Sequence, residues 1–172
     1  KFYNINLCNK NKLRKLLYKI KPNTIVHLAA QSTIDYVKSK KNSYIRSNIQ
    51  VTENLVNVSN ELCVKKFIFS SSAAIYKASN LKLNENSILK PANLYGKTKL
   101  ENEKYIISKF KKKNTTYCIL RFFNVCSADK KNKMGELHNP ETHLIPILIN
   151  KFYKKKLIKI YGNNYNTQDG TC

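Results

Sequence analysis

The chain has 172 residues, 42% of them hydrophobic and 10% aromatic, enough for a domain with a real core, and it has no apolar run near the roughly 18 residues a membrane-spanning helix needs. A net charge of +22 raises nucleic acid as a partner, but the lysines are spread along the whole chain among many asparagines, which reads as solvated faces rather than a built footprint. Cys8, Cys63, Cys118, Cys126 and Cys172 are odd in number and form no Cys-x-x-Cys pair, which argues against a zinc site and suits small hydrophobes in a reducing, cytoplasmic compartment.

Leu13, Leu16, Leu17 and Ile20 recur at i, i+3, i+4 and i+7 and predict a helix that Pro22 and Asn23 end. The β-branched and apolar run 24–30 predicts a strand covered on both faces. Val51, Leu55, Val58 and Leu62 predict a second amphipathic helix, and Phe67-Ile-Phe-Ser70 a second strand. After a polar loop over 77–93, Leu100, Ile106, Ile107 and Phe110 mark a third helix, and the run 117–123 a third strand. Leu144 to Ile149 predicts a helix with Pro146 near its start, and 157–161 a short strand before a turn. Strands alternating with helices imply an α/β fold built on a doubly wound parallel sheet, with the active face at the strands' carboxyl ends.

Two features carry chemistry. Tyr95 and Lys99 form a Tyr-x-x-x-Lys pair whose i, i+4 spacing puts both side chains on one helix face. An ammonium beside a phenol favours the phenolate and makes a general base of it. The same spacing also describes an ordinary solvated helix face. Ser70-Ser-Ser72 ends the second strand, either as a strand-terminating turn or as a hydrogen-bonding group for a substrate hydroxyl. His27, inside a predicted core strand, reads as structural, and His138 as a loop residue.

The blocks Ile25-Val-His-Leu-Ala-Ala30, Phe67-Ile-Phe-Ser-Ser-Ser-Ala-Ala-Ile-Tyr76, Tyr95-Gly-Lys-Thr-Lys99 and Leu120-Arg-Phe-Phe-Asn-Val125 resemble, in order and spacing, the extended short-chain dehydrogenases/reductases. Stretches 135–146 and 161–171 resemble the UDP-glucose 4-epimerase branch rather than the dehydratases, whose Asp-Glu pair is here replaced by Ser71-Ser-Ala-Ala74. The resemblance implies a Rossmann-type sheet over 1–128, the later part of an NAD-binding domain, and a partial substrate lobe over 129–172. It implies a catalytic set of Tyr95, Lys99 and Ser72, with NAD held by Asn6, Leu7, Leu28, Ala29, Ala30, Gln31, Ser47, Tyr95, Lys99 and Phe123. A UDP-sugar would meet Ser72, Tyr95, Asn124, His143, Leu144, Lys159, Ile160 and Tyr161, with no metal required.

A homodimer without nucleic-acid or membrane partners is the accompanying expectation. Another nucleotide sugar as substrate stays open. Asn6 stands at a family aspartate position, Ser32 at a lysine, Ser47 at an asparagine and Lys77 at a glycine. None of the four glycines belongs to a Gly-x-Gly-x-x-Gly loop that would place a pyrophosphate on a helix N-terminus. The 172 residues are therefore expected to be an internal piece of such an enzyme, truncated at both ends and inactive alone.

Overall fold

The structure, a computed structural model, describes residues 1–31, 42, 44–111, 113–131, 133–136, 138–160 and 162–170. It holds two compact units, Lys1–Phe123 and Asn124–Cys172.

The first unit runs α1 (Lys10–Ile20), β1 (Thr24–His27), a π-helical turn (Arg46–Gln50) leading into α2 (Val51–Glu61), β2 (Lys66–Ser72), a short 3-10 turn (Ala73–Ile75), α3 (Leu94–Phe110) and β3 (Thr116–Phe122). The expected helices and strands of this unit are present. α1 starts where the Asn9 side chain accepts the Lys12 N–H and stops where Lys21 turns left-handed at φ 51°. Helical connections between the strands leave a parallel sheet in the order β1-β2-β3. Ile25 lies beside Phe67 and Phe67 beside Tyr117; His27 lies beside Phe69 and Phe69 beside Ile119.

Strand alternation sends these residues to one face, where Ile25, Phe67 and Phe69 pack with Leu13 and Leu17 of α1, Val51, Leu55 and Val58 of α2, and Ile106 and Phe110 of α3. Cover was expected on both faces. Among the described residues of this unit the helices lie on the one face, and Val26, Leu120 and Phe122 on the other are exposed.

α3 is the unusual helix. Asn93 caps it by accepting the Gly96 N–H at 2.8 Å, and Ile106 and Phe110 anchor its far end in the core. Its near end buries a polar stripe instead: Lys99, Asn102 and Glu103 are each 3% exposed or less. Groups buried this far need partners, and each has at least one, although Asn102 Oδ1 is left without any among the described residues. Arg121 of β3 donates to Glu103 through Nε at 3.2 Å and Nη2 at 2.9 Å, and the Ser71 hydroxyl donates to the same carboxylate. The Glu103–Arg121 pair thereby ties α3 to the sheet.

In the second unit α4 (Leu144–Tyr153) forms as expected, with Pro146 in its first turn. The strand expected over 157–161 is not found: residues 157–160 have no ladder partner among the described residues, Leu157 is 93% exposed, and Tyr161 lies outside those residues. The cysteines also differ from expectation, since Cys63, Cys118 and Cys126 are exposed.

Replacing Arg121 with Met would leave the Glu103 carboxylate buried without its cation, at an expected cost of about 3–5 kcal/mol. Chemical denaturation of R121M against the parent chain measures it.

Candidate functional site

At the carboxyl end of β2 the chain passes from Ser72 straight into the turn Ala73–Ile75, whose first N–H groups need acceptors; the Ser72 hydroxyl takes the Ala74 N–H at 3.2 Å. α3 lies against this turn with no room to spare. A Cβ on Gly96 would come within 2.2 Å of the Ala74 carbonyl oxygen, so glycine is what allows the helix to come so near. Tyr95, Lys99 and Glu103 follow at four-residue steps along one face of α3 and meet Ser72, Ser70 and Ser71 respectively.

Lys99 Nζ donates to the Ser70 carbonyl at 2.6 Å and stands 4.9 Å from the centre of the Phe69 ring and 5.6 Å from that of Tyr95. Burial pushes its amine down to about 8. The Tyr95 phenol moves the other way. Burial raises it above the usual tyrosine range, and hydrogen bonding with the Ser72 hydroxyl opposes that rise. The ammonium was expected to acidify Tyr95. In the structure Lys99 is engaged by Ser70, and burial dominates the phenol.

A second layer of buried polar groups supports this end of the sheet. The Asn48 side chain accepts the Gln31 N–H at 2.8 Å and donates to the Gln31 carbonyl at 3.0 Å, which holds the chain where it leaves β1. The Asn48 carbonyl in turn accepts from Asn102 Nδ2 at 2.9 Å and from the Thr52 hydroxyl at 3.1 Å. Because the Thr52 hydroxyl donates there, it accepts from His27 Nε2 at 2.9 Å, leaving Nδ1 unprotonated and without a partner. Burial, then the nearby Lys99 charge, pushes His27 down to about 4, so it stays neutral. Tyr44 is buried behind Tyr95, its phenol pushed up to about 12 by burial and then by Tyr95.

The other sequence-predicted residues fall in several places. Leu28, Ala29, Ala30 and Gln31 form an exposed ledge beyond β1. Ser47 is half-buried and donates to the Tyr44 carbonyl at 3.0 Å. Asn6 is exposed and accepts the Cys8 N–H in a tight turn, while the Leu7 carbonyl accepts from Asn54 at 2.9 Å. Phe123 is 63% exposed and lines a cavity of about 490 Å³ with Tyr76 and Arg121 on the open edge of β3; Tyr95 and Ser72 do not line it. Asn124, His143 and Leu144 share a cavity of about 330 Å³ within the second unit, which Lys159 and Ile160 do not line. Ser32 and Tyr161 lie outside the described residues. Glu103, Thr52 and Asn102 were not singled out by the sequence; the one available signal was the continued four-residue step from Tyr95 through Lys99 to Glu103.

The profile of the NAD dependent epimerase/dehydratase family matches residues 1–171. The chain belongs to that family. It is 36% identical to the UDP-glucose 4-epimerase of Lactobacillus helveticus over 173 residues, which is 99% of this chain and 52% of that protein. A crystal structure of a UDP-glucose 4-epimerase superposes with a TM-score of 0.90 at 38% identity, covering 100% of this chain and 53% of the other. The Brucella ovis UDP-glucose 4-epimerase, solved in complex with NAD, gives 0.90 at 32% identity over 100% of this chain and 54% of its own. This family member thus spans about half the length of the relatives it matches.

Neutral His27 makes the family member acid-sensitive. Its folded value of about 4 lies below the unfolded value near 6.5, so between these the unfolded chain binds the extra proton. Stability from this group is complete above pH 6.5 and is expected to fall by about 3 kcal/mol as the pH drops to 4. The check is denaturation across pH 4–7, in which His27→Gln should flatten that limb.

Proposed function

We propose that the chain carries the proton-transfer machinery of an NAD-dependent 4-epimerase that interconverts UDP-glucose and UDP-galactose. The observation that carries this reading is the Tyr95 phenol beside the Ser72 hydroxyl at the end of β2, with Lys99 one turn further along α3.

The residues suit the cofactor. The exposed ledge of Leu28, Ala29, Ala30 and Gln31 has small side chains that let a nucleotide approach the backbone, and Asn48 fixes its last residue. Lys99 has three N–H donors, of which Ser70 takes one, so donors remain for a ribose hydroxyl. Asn6, Leu7, Ser47 and Phe123 complete the proposed NAD contacts. NAD, when bound, supplies the two-electron acceptor that takes the C4 hydride and returns it, and its positive ring favours the Tyr95 phenolate.

In the proposed reaction Tyr95 takes the proton of the sugar 4-hydroxyl while Ser72 hydrogen-bonds the same oxygen. The 4-keto sugar turns over within the pocket, and Tyr95 gives the proton back once C4 has been reduced on its other face. Proton and hydride both return to the sugar, so no net oxidation occurs. Asn124, His143, Leu144, Lys159, Ile160 and Tyr161 are assigned to the UDP-sugar. The 172 residues alone are assigned no turnover, because they contain no glycine-rich pyrophosphate loop. The working enzyme in this reading is a cytoplasmic homodimer without a nucleic-acid partner.

The test is a chimera in which these residues replace the matching 52% of the Lactobacillus helveticus epimerase. It should interconvert the two UDP-sugars, and Tyr95→Phe should lower kcat by about 10²–10⁴-fold with NAD still bound. A folded, NAD-loaded chimera without activity, or a Y95F variant as fast as its parent, would refute the assignment.

A further inference from the structure

The segment Glu136-x-His138-x-x-Glu141-x-His143 of the second unit turns four donor side chains onto one point: one ligand atom from each lies within 4.8 Å of the others. His138 Nδ1 stands 3.3 Å from Glu136 Oε1 and 3.8 Å from Glu141 Oε2. His143 Nδ1 stands 3.5 Å from Glu141 Oε1 and also contacts Glu136 Oε1. The chain has 10 acidic residues and 3 histidines, and this point gathers two of each, a convergence that its scattered lysines do not explain.

We propose that this cluster binds a zinc ion, with His143 coordinating through the Nδ1 that faces the carboxylates and keeping Nε2 for the UDP-sugar contact assigned to it above. Two imidazoles and two carboxylates are a nitrogen and oxygen set that zinc accepts in tetrahedral geometry. With bonds of about 2.0–2.2 Å, neighbouring ligand atoms then stand about 3.4 Å apart. With Glu136 Oε1 and Glu141 Oε2 as the carboxylate ligands, His138 Nδ1 stands 3.3 and 3.8 Å from them, close to that value, whereas the tighter His143–Glu136 contact has to open to admit the ion. The two carboxylates would offset the charge of the dication.

Glu141 is already oriented, because one of its oxygens accepts the N–H groups of Thr142 and His143, each at 2.8 Å. The carboxylate side chains are 16% and 20% exposed and the imidazoles 40% and 49%, so the ion has a route in from solvent. The cysteine pattern that argued against zinc does not bear on this oxygen and nitrogen set. Imidazolium–carboxylate pairing is the competing explanation, and it needs no metal.

The chain itself decides between them. After treatment with a chelator and a thiol reductant, the 172-residue chain is titrated with zinc chloride at about pH 7.5, where free imidazole is mostly neutral. The imidazole nitrogens are followed by NMR. One equivalent of zinc should shift His138 and His143 and leave buried His27 unmoved. Cobalt(II) should give the intense visible bands of a tetrahedral site, and His138→Gln and Glu141→Gln should each weaken binding at least about tenfold.

Zinc that moves neither imidazole would overturn the proposal, leaving proton-mediated pairing as the account of the cluster. Affinity unchanged in a His138→Gln/His143→Gln double variant would also overturn it, assigning zinc to the exposed thiols. Should a variant lose its far-ultraviolet dichroism, the imidazole shifts of the parent chain decide between zinc binding and pairing on their own.

Discussion

The structure depends on how α3 is seated on the end of β2. Three side chains at four-residue steps, Tyr95, Lys99 and Glu103, face three consecutive serines, Ser70 to Ser72. A helix advances about 6 Å over four residues, about the same as two residues of a strand, which matches the step from Tyr95 and Ser72 to Lys99 and Ser70. Gly96 sets the closeness by admitting the Ala74 carbonyl, and Glu103, clamped by Arg121, sets the position along the axis. With both fixed, the first turn of α3, which carries Tyr95, is held against the end of β2 that carries Ser72.

The arrangement has an electrostatic cost that shapes its chemistry. Burying an ammonium and a carboxylate on one helix face is tolerated because each is hydrogen-bonded, Lys99 to a carbonyl and Glu103 to a guanidinium and a hydroxyl. The same burial lowers Lys99 to about 8 and keeps His27 neutral, so the site can change its charge near neutral pH through the lysine. It also raises Tyr95, so the phenol needs a further positive group, or the Ser72 hydrogen bond, to act as a base. A site that becomes fully competent when a cationic ring arrives suits the proposed epimerase chemistry.

Much of this was legible in the sequence, for identifiable reasons. Apolar periodicity gave α1 and α2, because burial on one face leaves a regular trace, and near-continuous apolar runs gave the three strands. The Tyr95–Lys99 spacing was legible because it is local. Glu103 was not, since its partners Ser71 and Arg121 lie 32 and 18 residues away and a lone helical glutamate usually faces water. The run at 157–160 has strand propensity, yet propensity cannot supply a ladder partner, and its side chains stand in solvent. Exposed Cys118 lies on the sheet face that the described helices leave uncovered, which local pattern could not reveal. The Glu136 to His143 cluster was visible letter by letter, but its convergence depends on the fold of the turn between them.

The most direct measurement is a crystal structure of the epimerase chimera with NAD and UDP-galactose bound. The account predicts the Tyr95 and Ser72 hydroxyls on the same sugar oxygen, with Lys99 still donating to the Ser70 carbonyl. A sugar oxygen reached by one of the two hydroxyls while the other faces a separate cavity would contradict it.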